Sequence, residues 1–308
     1  MSYLAKKKTS KILILGLARS GKSTIIKVVT EGIVPKKNEE YQATIDYERK
    51  HKVIAGTELT IFDLGGQTAF LDRFTGELSE FIFSGVKTLV FVVDSIEIKD
   101  ISRAKYYLDL SLQKLEQYSP SATVYIFQHK SDLVPKNLKE EVRKTIYDYL
   151  AAGVTNQLKY YPTSVFSDSI FRAMGEVYAE ASGARRTLRP LLETFIHHNA
   201  ADMAQIFTKE GAPLTKVENI SVFDHVSLAE VREFFNAAIN RLANSEDEYS
   251  TSILMESHRR VFIIKFIENG LALFFGFPKD RLREKNEPIP SLYNKVLAFS
   301  SQLQSITE

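Results

Sequence analysis

The chain has 308 residues, enough for two domains of ordinary size. Hydrophobic residues make up 44% and charged residues 25%, the balance of a soluble globular protein rather than a disordered one. A net charge of +2 offers no global basic field for nucleic acid, and the absence of cysteine excludes disulfides, thiolate zinc sites and a cysteine nucleophile.

The first residues, Met1 to Lys8, carry charge but lead into no signal-peptide core, and they read as a solvated approach to the first strand. That strand, Lys11–Leu15, runs into Gly16-Leu-Ala-Arg-Ser-Gly-Lys-Ser23. The pattern is G-x-x-x-x-G-K-S, a phosphate-binding loop, and the helical run Lys22–Glu31 after it supplies the context the motif needs. Its glycines let the backbone wrap an anion, and its amides and the following helix start point positive charge inward. Gly16, Arg19, Ser20, Gly21, Lys22, Ser23 and Thr24 are the candidate phosphate contacts. Lys22 reaches the outer phosphates, where it also serves catalysis, and the Ser23 hydroxyl takes Mg²⁺.

Short apolar runs then alternate with helical patterns. Strands are expected at Lys52–Ala55, Leu59–Phe62, Thr88–Val93, Thr123–Gln128 and Tyr160–Thr163, and helices at Ile101–Tyr118, Leu138–Leu150 and Ser169–Ala181. The alternation predicts an α/β fold with a mainly parallel sheet, helices on both faces, and an antiparallel hairpin over residues 53–62 at one edge. Between the first helix and the hairpin lies a polar connection, Lys36 to Asp46, that contains Thr44. A Thr in such a connection can ligate Mg²⁺ only while a terminal phosphate is present. Asp63-Leu-Gly-Gly66 follows the hairpin, then Gln67. Asp63 can hold Mg²⁺ through a water, Gly66 can offer its N–H to a terminal phosphate, and Gln67 can orient an attacking water. Taken alone the stretch is also ordinary turn chemistry; its place after a phosphate loop favours the functional reading.

His129-Lys130-Ser131-Asp132 follows the strand Thr123–Gln128. The Asp132 carboxylate can accept both the ring N–H and the exocyclic amine of guanine, a donor pair adenine lacks. Lys130 lays its stem along the ring and braces the phosphate loop. Taken alone, the tetrapeptide also reads as a helix entry capped by Asp132. Ser164 and Val165, after the next strand, can offer backbone contacts to the base edge.

In order and spacing these motifs resemble a Ras-like GTPase. More narrowly, Ala43-Thr-Ile-Asp-Tyr-Glu48, Phe62-Asp-Leu-Gly-Gly-Gln67, Tyr106-Tyr107, Ser119-Pro120, His129-Lys-Ser-Asp-Leu133 and Thr163-Ser-Val-Phe-Ser-Asp-Ser-Ile170 resemble the Rag/Gtr family. His129 stands where most Ras-like GTPases carry Asn and the Rag family carries His. That change alters a hydrogen bond supporting the loop and implies weaker or faster-exchanging nucleotide. The resemblance implies a G domain followed by a C-terminal roadblock/longin domain.

The second half fits that order. Ala181 to Arg189 is small, polar and basic, and residues 183–189 are expected to form a linker between a G domain over 1–182 and a second domain over 190–308. The elements expected are a helix at Leu191–Asn199, strands at Ala204–Lys209 and Leu214–Asn219, an amphipathic helix at Ser227–Ala243, strands at Thr251–Glu256, Val261–Ile267 and Leu271–Phe277, and a helix at Pro290–Gln304. This is an α+β sandwich. Val261 to Phe277 carries Lys265, Glu268, Asn269 and Gly270 at its middle, so it reads as a hairpin and not a membrane span. His197 and His198 are helix neighbours pointing to different faces, which disfavours a metal site. The stripe Leu228, Val231, Phe235, Ala238, Ile239, Leu242 either faces a sheet or pairs two chains.

The expected function is a GTP-hydrolysing switch that binds GTP and GDP, with Mg²⁺ at Ser23, Thr44 and Asp63, and Gln67 placing the water. No internal arginine finger can be assigned, so slow turnover and help from GTPase-activating and exchange partners are expected. The alternatives are a nucleotide-stabilised scaffold and, less favoured because of Asp132, an ATP-using enzyme. The resemblance implies dimerisation through the C-terminal domain, as a homodimer or heterodimer, and pairing with other roadblock/longin proteins. The phosphate loop looks like one Rag subfamily, the C/D type, while Ala43-Thr-Ile-Asp46 and the Asp-Leu-Gly-Gly-Gln turn look like the A/B type, which suggests a homodimer. A cytoplasmic protein is expected, reaching any endomembrane surface through a partner, without direct insertion and without nucleic acid.

Overall fold

The computed structural model describes residues 8–32, 35, 44, 46–218, 252–267 and 270–307. The helix expected at Ser227–Ala243, the tip of the hairpin at residues 268–269 and most of the 36–46 connection lie outside the described residues. The chain divides into two compact units: Met1–Lys52 with Glu58–Ala181, and Ser182–Glu308 with Val53–Thr57.

The first unit is built on a six-stranded sheet. Its strands are β1 (Lys8–Leu15), β2 (Tyr47–Ile54), β3 (Thr57–Leu64), β4 (Val86–Asp94), β5 (Thr123–His129) and β6 (Leu158–Pro162), in the spatial order β2-β3-β1-β4-β5-β6. β1, β4, β5 and β6 run parallel, with Leu13 opposite Leu89 and Phe91 opposite Ile126. β4 is apolar on both faces, as a central strand covered on two sides must be. β2 and β3 turn at Ala55 and Gly56, both with positive φ (48° and 72°), the backbone of a tight hairpin.

Helices α1 (Lys22–Glu31), α2 (Thr68–Thr75), α3 (Ser79–Phe83), α4 (Ile101–Tyr118), α5 (Lys139–Ala151) and α6 (Ser169–Ser182) intervene. α4 buries Ala104, Tyr107, Leu108, Ser111, Leu112 and Leu115, a stripe at helical spacing. With Leu13, Leu15, Leu89, Phe91 and Ile126 from the strands, this stripe forms one core. The sheet is mainly parallel, and its carboxyl ends gather the motifs. Two elements had no sequence signal. α2 and α3 are only 8 and 5 residues long, and Gly76 interrupts them, so neither shows enough turns for a period.

The second unit opens on α7 (Ala184–His198), and here the expected linker is corrected. Residues 184–189 are helical. α6 ends at Ser182, Gly183 takes a left-handed φ of 72°, and the Ser182 hydroxyl accepts the Ala184 N–H at 3.1 Å. Among the arginines lies a stripe of buried Ala184, Leu188, Leu192 and Phe195, which holds the helix down.

Its sheet is antiparallel: β7 (Met203–Thr208), β8 (Pro213–Glu218), β9 (Ser252–Glu256), β10 (Arg260–Ile267) and β11 (Leu271–Pro278), ordered β8-β7-β11-β10-β9. Helices α8 (Lys279–Glu284) and α9 (Ile289–Thr307) follow. Phe195 of α7 meets Phe275 of β11 at 4.4 Å and Phe299 of α9 at 5.0 Å between ring centroids. Met203, Phe207, Phe262, Ile264, Ala272 and Phe274 form a second cluster within this sheet. The C-terminal antiparallel sheet with its helices is consistent with a longin-like domain. No helix among the described residues is long and apolar enough to cross a membrane.

Candidate nucleotide and metal site

The phosphate loop turns between β1 and α1. Gly16 and Gly21 have φ of 148° and 95°, and Arg19 adopts φ 66°. A Cβ on Gly16 would stand 2.2 Å from the Val92 carbonyl oxygen, so a side chain there cannot pass β4. Lys22 is buried, and its Nζ donates to the carbonyls of Gly16 (2.9 Å) and Leu17 (2.8 Å). The ammonium is therefore held inside the curl of its own loop. Burial pushes its pKa down to about 8, with Asp63 opposing. Ser20 is buried, and its hydroxyl has no hydrogen-bond partner among the described residues. Thr24 is half-buried in the first turn of α1.

Three residues from separate segments meet beside Lys22. The Ser23 and Thr44 hydroxyl oxygens are 2.7 Å apart, and Thr44 Oγ1 donates to Asp63 Oδ2 at 3.4 Å. Asp63 is 3% exposed, and its Oδ1 has no hydrogen-bond partner among the described residues. Burial raises its pKa, against the Ser23 and Thr44 hydrogen bonds and the Lys22 charge, while Glu48 raises it further. A buried carboxylate with one unsatisfied oxygen beside two hydroxyls is an all-oxygen donor set that suits a hard divalent cation. Ser23, Thr44 and Asp63 thus fit Mg²⁺.

The turn after β3 leans on the phosphate loop. Gly66 accepts the Ala18 N–H at 2.8 Å, and a Cβ on Gly66 would fall 2.5 Å from Lys22 Nζ. Gly65 donates to the Asp46 carbonyl at 2.8 Å, and Arg73 of α2 lies 3.6 Å from the Asp46 carboxylate. Gln67 starts α2 through its backbone carbonyl, which accepts from Phe70 and Leu71. Its side chain makes no capping hydrogen bond and is exposed.

On the other side of the loop, His129 ends β5 at 2% exposure. Its ring stands against Gly21, 2.5 Å from where a Cβ would be, and its Nδ1 lies 3.1 Å from Thr163 Oγ1. Burial first, then the Lys130 charge, push its pKa down to about 4, so the ring is neutral at pH 7. Lys130 has φ 59°, and its Nζ donates to the Arg19 carbonyl (2.8 Å) and to Asp94 Oδ2 (2.6 Å). Asp132 is exposed. Ser164 and Val165 are buried, and the Ser164 N–H is taken by Ser169 Oγ at 2.9 Å.

Asp94 is the residue that sequence reasoning missed. It closes the apolar β4, binds Lys130, and accepts the Ile96 N–H at 3.0 Å on its other oxygen. A lone carboxylate at the carboxyl end of a buried strand was the available signal. It carries no motif, so spacing could not single it out.

A family model described as the Gtr1/RagA G protein conserved region matches residues 11–255. The chain is 28% identical over 215 residues to the GTP-binding protein gtr1 of Schizosaccharomyces pombe, covering 68% of each protein. It is 30% identical over 205 residues to Ras-related GTP-binding protein C of Mus musculus, covering 64% of this chain and 50% of that one. It is 24% identical over 274 residues to Ras-related GTP-binding protein A of Dictyostelium discoideum, covering 84% and 87%. The chain thus spans between half and about nine tenths of the length of these relatives. A solved structure, the Arl6 BBS3 small GTPase of Trypanosoma brucei with the nucleotide analogue GppNp, has a TM-score of 0.45 and 20% identity over 57% of this chain and 99% of that one. The match over residues 11–255 takes in every motif of the site, and the chain belongs to the Gtr1/RagA family of G proteins.

Proposed function

We propose that this chain is a guanine-nucleotide switch that binds GTP and GDP with Mg²⁺ and hydrolyses GTP slowly. The observation that carries the reading is the meeting of Thr44 with Ser23 and Asp63 at the mouth of the phosphate loop. Thr44 comes from the connection between α1 and β2, so its position reports whether a ligand at the loop draws that connection in. Asp132, exposed at the carboxyl end of β5, supports guanine as the base.

In this reading Lys22 and the loop amides stabilise charge on the transferring phosphoryl group. Ser23, Thr44 and Asp63 would hold Mg²⁺, which would supply charge neutralisation to the phosphates. Gln67, exposed at the start of α2, orients the attacking water, and Gly66 offers its N–H to the terminal phosphate. Residues up to the end of α6 form the nucleotide domain, and the chain from α7 onward forms the dimerisation domain. GTPase-activating and exchange partners set the rate of the cycle, and a partner carries the chain to any endomembrane surface.

Gln67→Leu tests the hydrolytic half of this reading. Single-turnover hydrolysis should fall at least about tenfold, the removal of a water-positioning group, while GTP still binds. Unchanged hydrolysis removes Gln67 from the mechanism, and a wild-type chain that binds no guanine nucleotide removes the reading altogether.

A further inference from the structure

Gln67 stands at the start of a helix with few means of fixing its first turn. α2 has eight residues, too few to be stable alone in water, and its N-cap residue, Gln67, makes no capping hydrogen bond among the described residues. Leu71, Phe74 and Thr75 bury the inner face of α2, but none precedes its fourth position. Gln67, Thr68 and Ala69 are exposed. A side chain that orients a water must be held within about half an ångström of its working place, and such a helix start does not hold itself that closely.

α4 reaches across to this turn. Tyr107 belongs to the buried stripe of α4, is 3% exposed, and shares a core with Leu71 and Phe74. The Tyr106 ring packs edge-on against it, 5.2 Å between centroids. The Tyr107 hydroxyl donates to Asp72 Oδ1 at 2.7 Å, and the Thr68 side chain hydrogen-bonds the same phenol. Thr68 and Asp72 are four residues apart and so are neighbours on one face of α2. One oxygen on a long, buried helix thus spans the first turn of a short one, and Thr68 follows Gln67 directly. A second polar tie, Arg73 to the Asp46 carboxylate at 3.6 Å, lies in the last turn of α2 and joins half-exposed side chains, where an ion pair contributes little. Packing does not account for the phenol oxygen, because a phenylalanine ring would fill the stripe equally well.

We propose that Tyr107 is a positioning residue for hydrolysis: its phenol clamps the first turn of α2 to α4 and so holds Gln67 where it orients the attacking water. The inference rests on the GTP-hydrolysing reading and adds to it a residue that sets the rate without touching the nucleotide.

Tyr107→Phe keeps the ring and removes the oxygen. Single-turnover GTP hydrolysis should fall about fivefold, the loss of one hydrogen bond, while GTP and GDP affinities stay within about twofold of wild type. Asp72→Asn keeps an acceptor for the phenol and should hydrolyse like wild type, whereas Asp72→Ala should match Tyr107→Phe. In a Gln67→Leu background Tyr107→Phe should have no further effect, because the clamp acts through Gln67. An equal loss in both backgrounds means a general structural role and overturns the inference. So does a Tyr107→Phe chain that hydrolyses GTP like wild type while Gln67→Leu is slow. The GTP-hydrolysing reading stands in both of those cases. If Gln67→Leu hydrolyses GTP like wild type, the clamp has nothing to position and the inference falls with Gln67. A wild-type chain that binds but does not hydrolyse GTP overturns the inference and the hydrolytic reading together.

Discussion

Lys22 is placed in an unusual balance. Its ammonium is buried, and among the described residues backbone carbonyls and the nearby Asp63 offset the lost water. Its pKa near 8 applies to the site without phosphates. Bound phosphates stabilise the charged form and raise that value. Between the two values, binding takes up a proton, so affinity must fall as pH rises. GDP affinity should be flat below about pH 7.5 and weaken above pH 8, approaching about tenfold per unit. Titrations at pH 7, 8 and 9 check this, and equal affinity at all three would show that Lys22 stays charged in the free site. The neighbouring contacts also show how much of the site was legible. Lys22, Ser23, Thr44 and Asp63 were singled out by spacing, and the structure brings all four together. Asp94 was not, because it is a lone acid after an apolar strand. Only the packing of neighbouring strand ends brings it to Lys130.

At the scale of elements, long periodic segments were readable and short ones were not. α4 declares itself through 18 residues of helical spacing, and β4 through an unbroken apolar run. α2 and α3 are too short to show a period. The first turn and a half of α7 looks like a linker in the sequence because arginines surround its buried stripe. The structure shows the stripe's purpose: it brings Phe195 onto Phe275 and Phe299. Phe195→Ala opens a cavity in that aromatic cluster and should cost about 3–5 kcal/mol, the usual range for a buried phenylalanine. Urea unfolding of the full chain, followed by far-UV circular dichroism, should show an earlier transition. A loss under about 1 kcal/mol would mean that the cluster collapses around the gap.

For the whole molecule, the proposal of a dimer through the C-terminal domain makes a direct prediction. Light scattering at micromolar concentration should give a mass near twice the 35.0 kDa of one chain. A single-chain mass would count against homodimerisation and leave pairing with a different roadblock/longin chain. What the sequence by itself determined is the order of the chemistry: a phosphate loop, a Thr, an Asp with two glycines and a Gln, then a Lys and an Asp, on alternating strands and helices. That order is local, since each motif is a short run whose glycines, charges and flanking periodicity act within a few residues. What only the tertiary structure decided is which of these groups meet and what else joins them. Thr44 reaches Ser23 and Asp63, His129 packs on Gly21, and Asp94 holds Lys130, because parallel strands distant in sequence end side by side at one edge of the sheet. Burial at that edge then sets the charge balance of Lys22 and Asp63, a property of the assembled core that spacing along the chain does not contain.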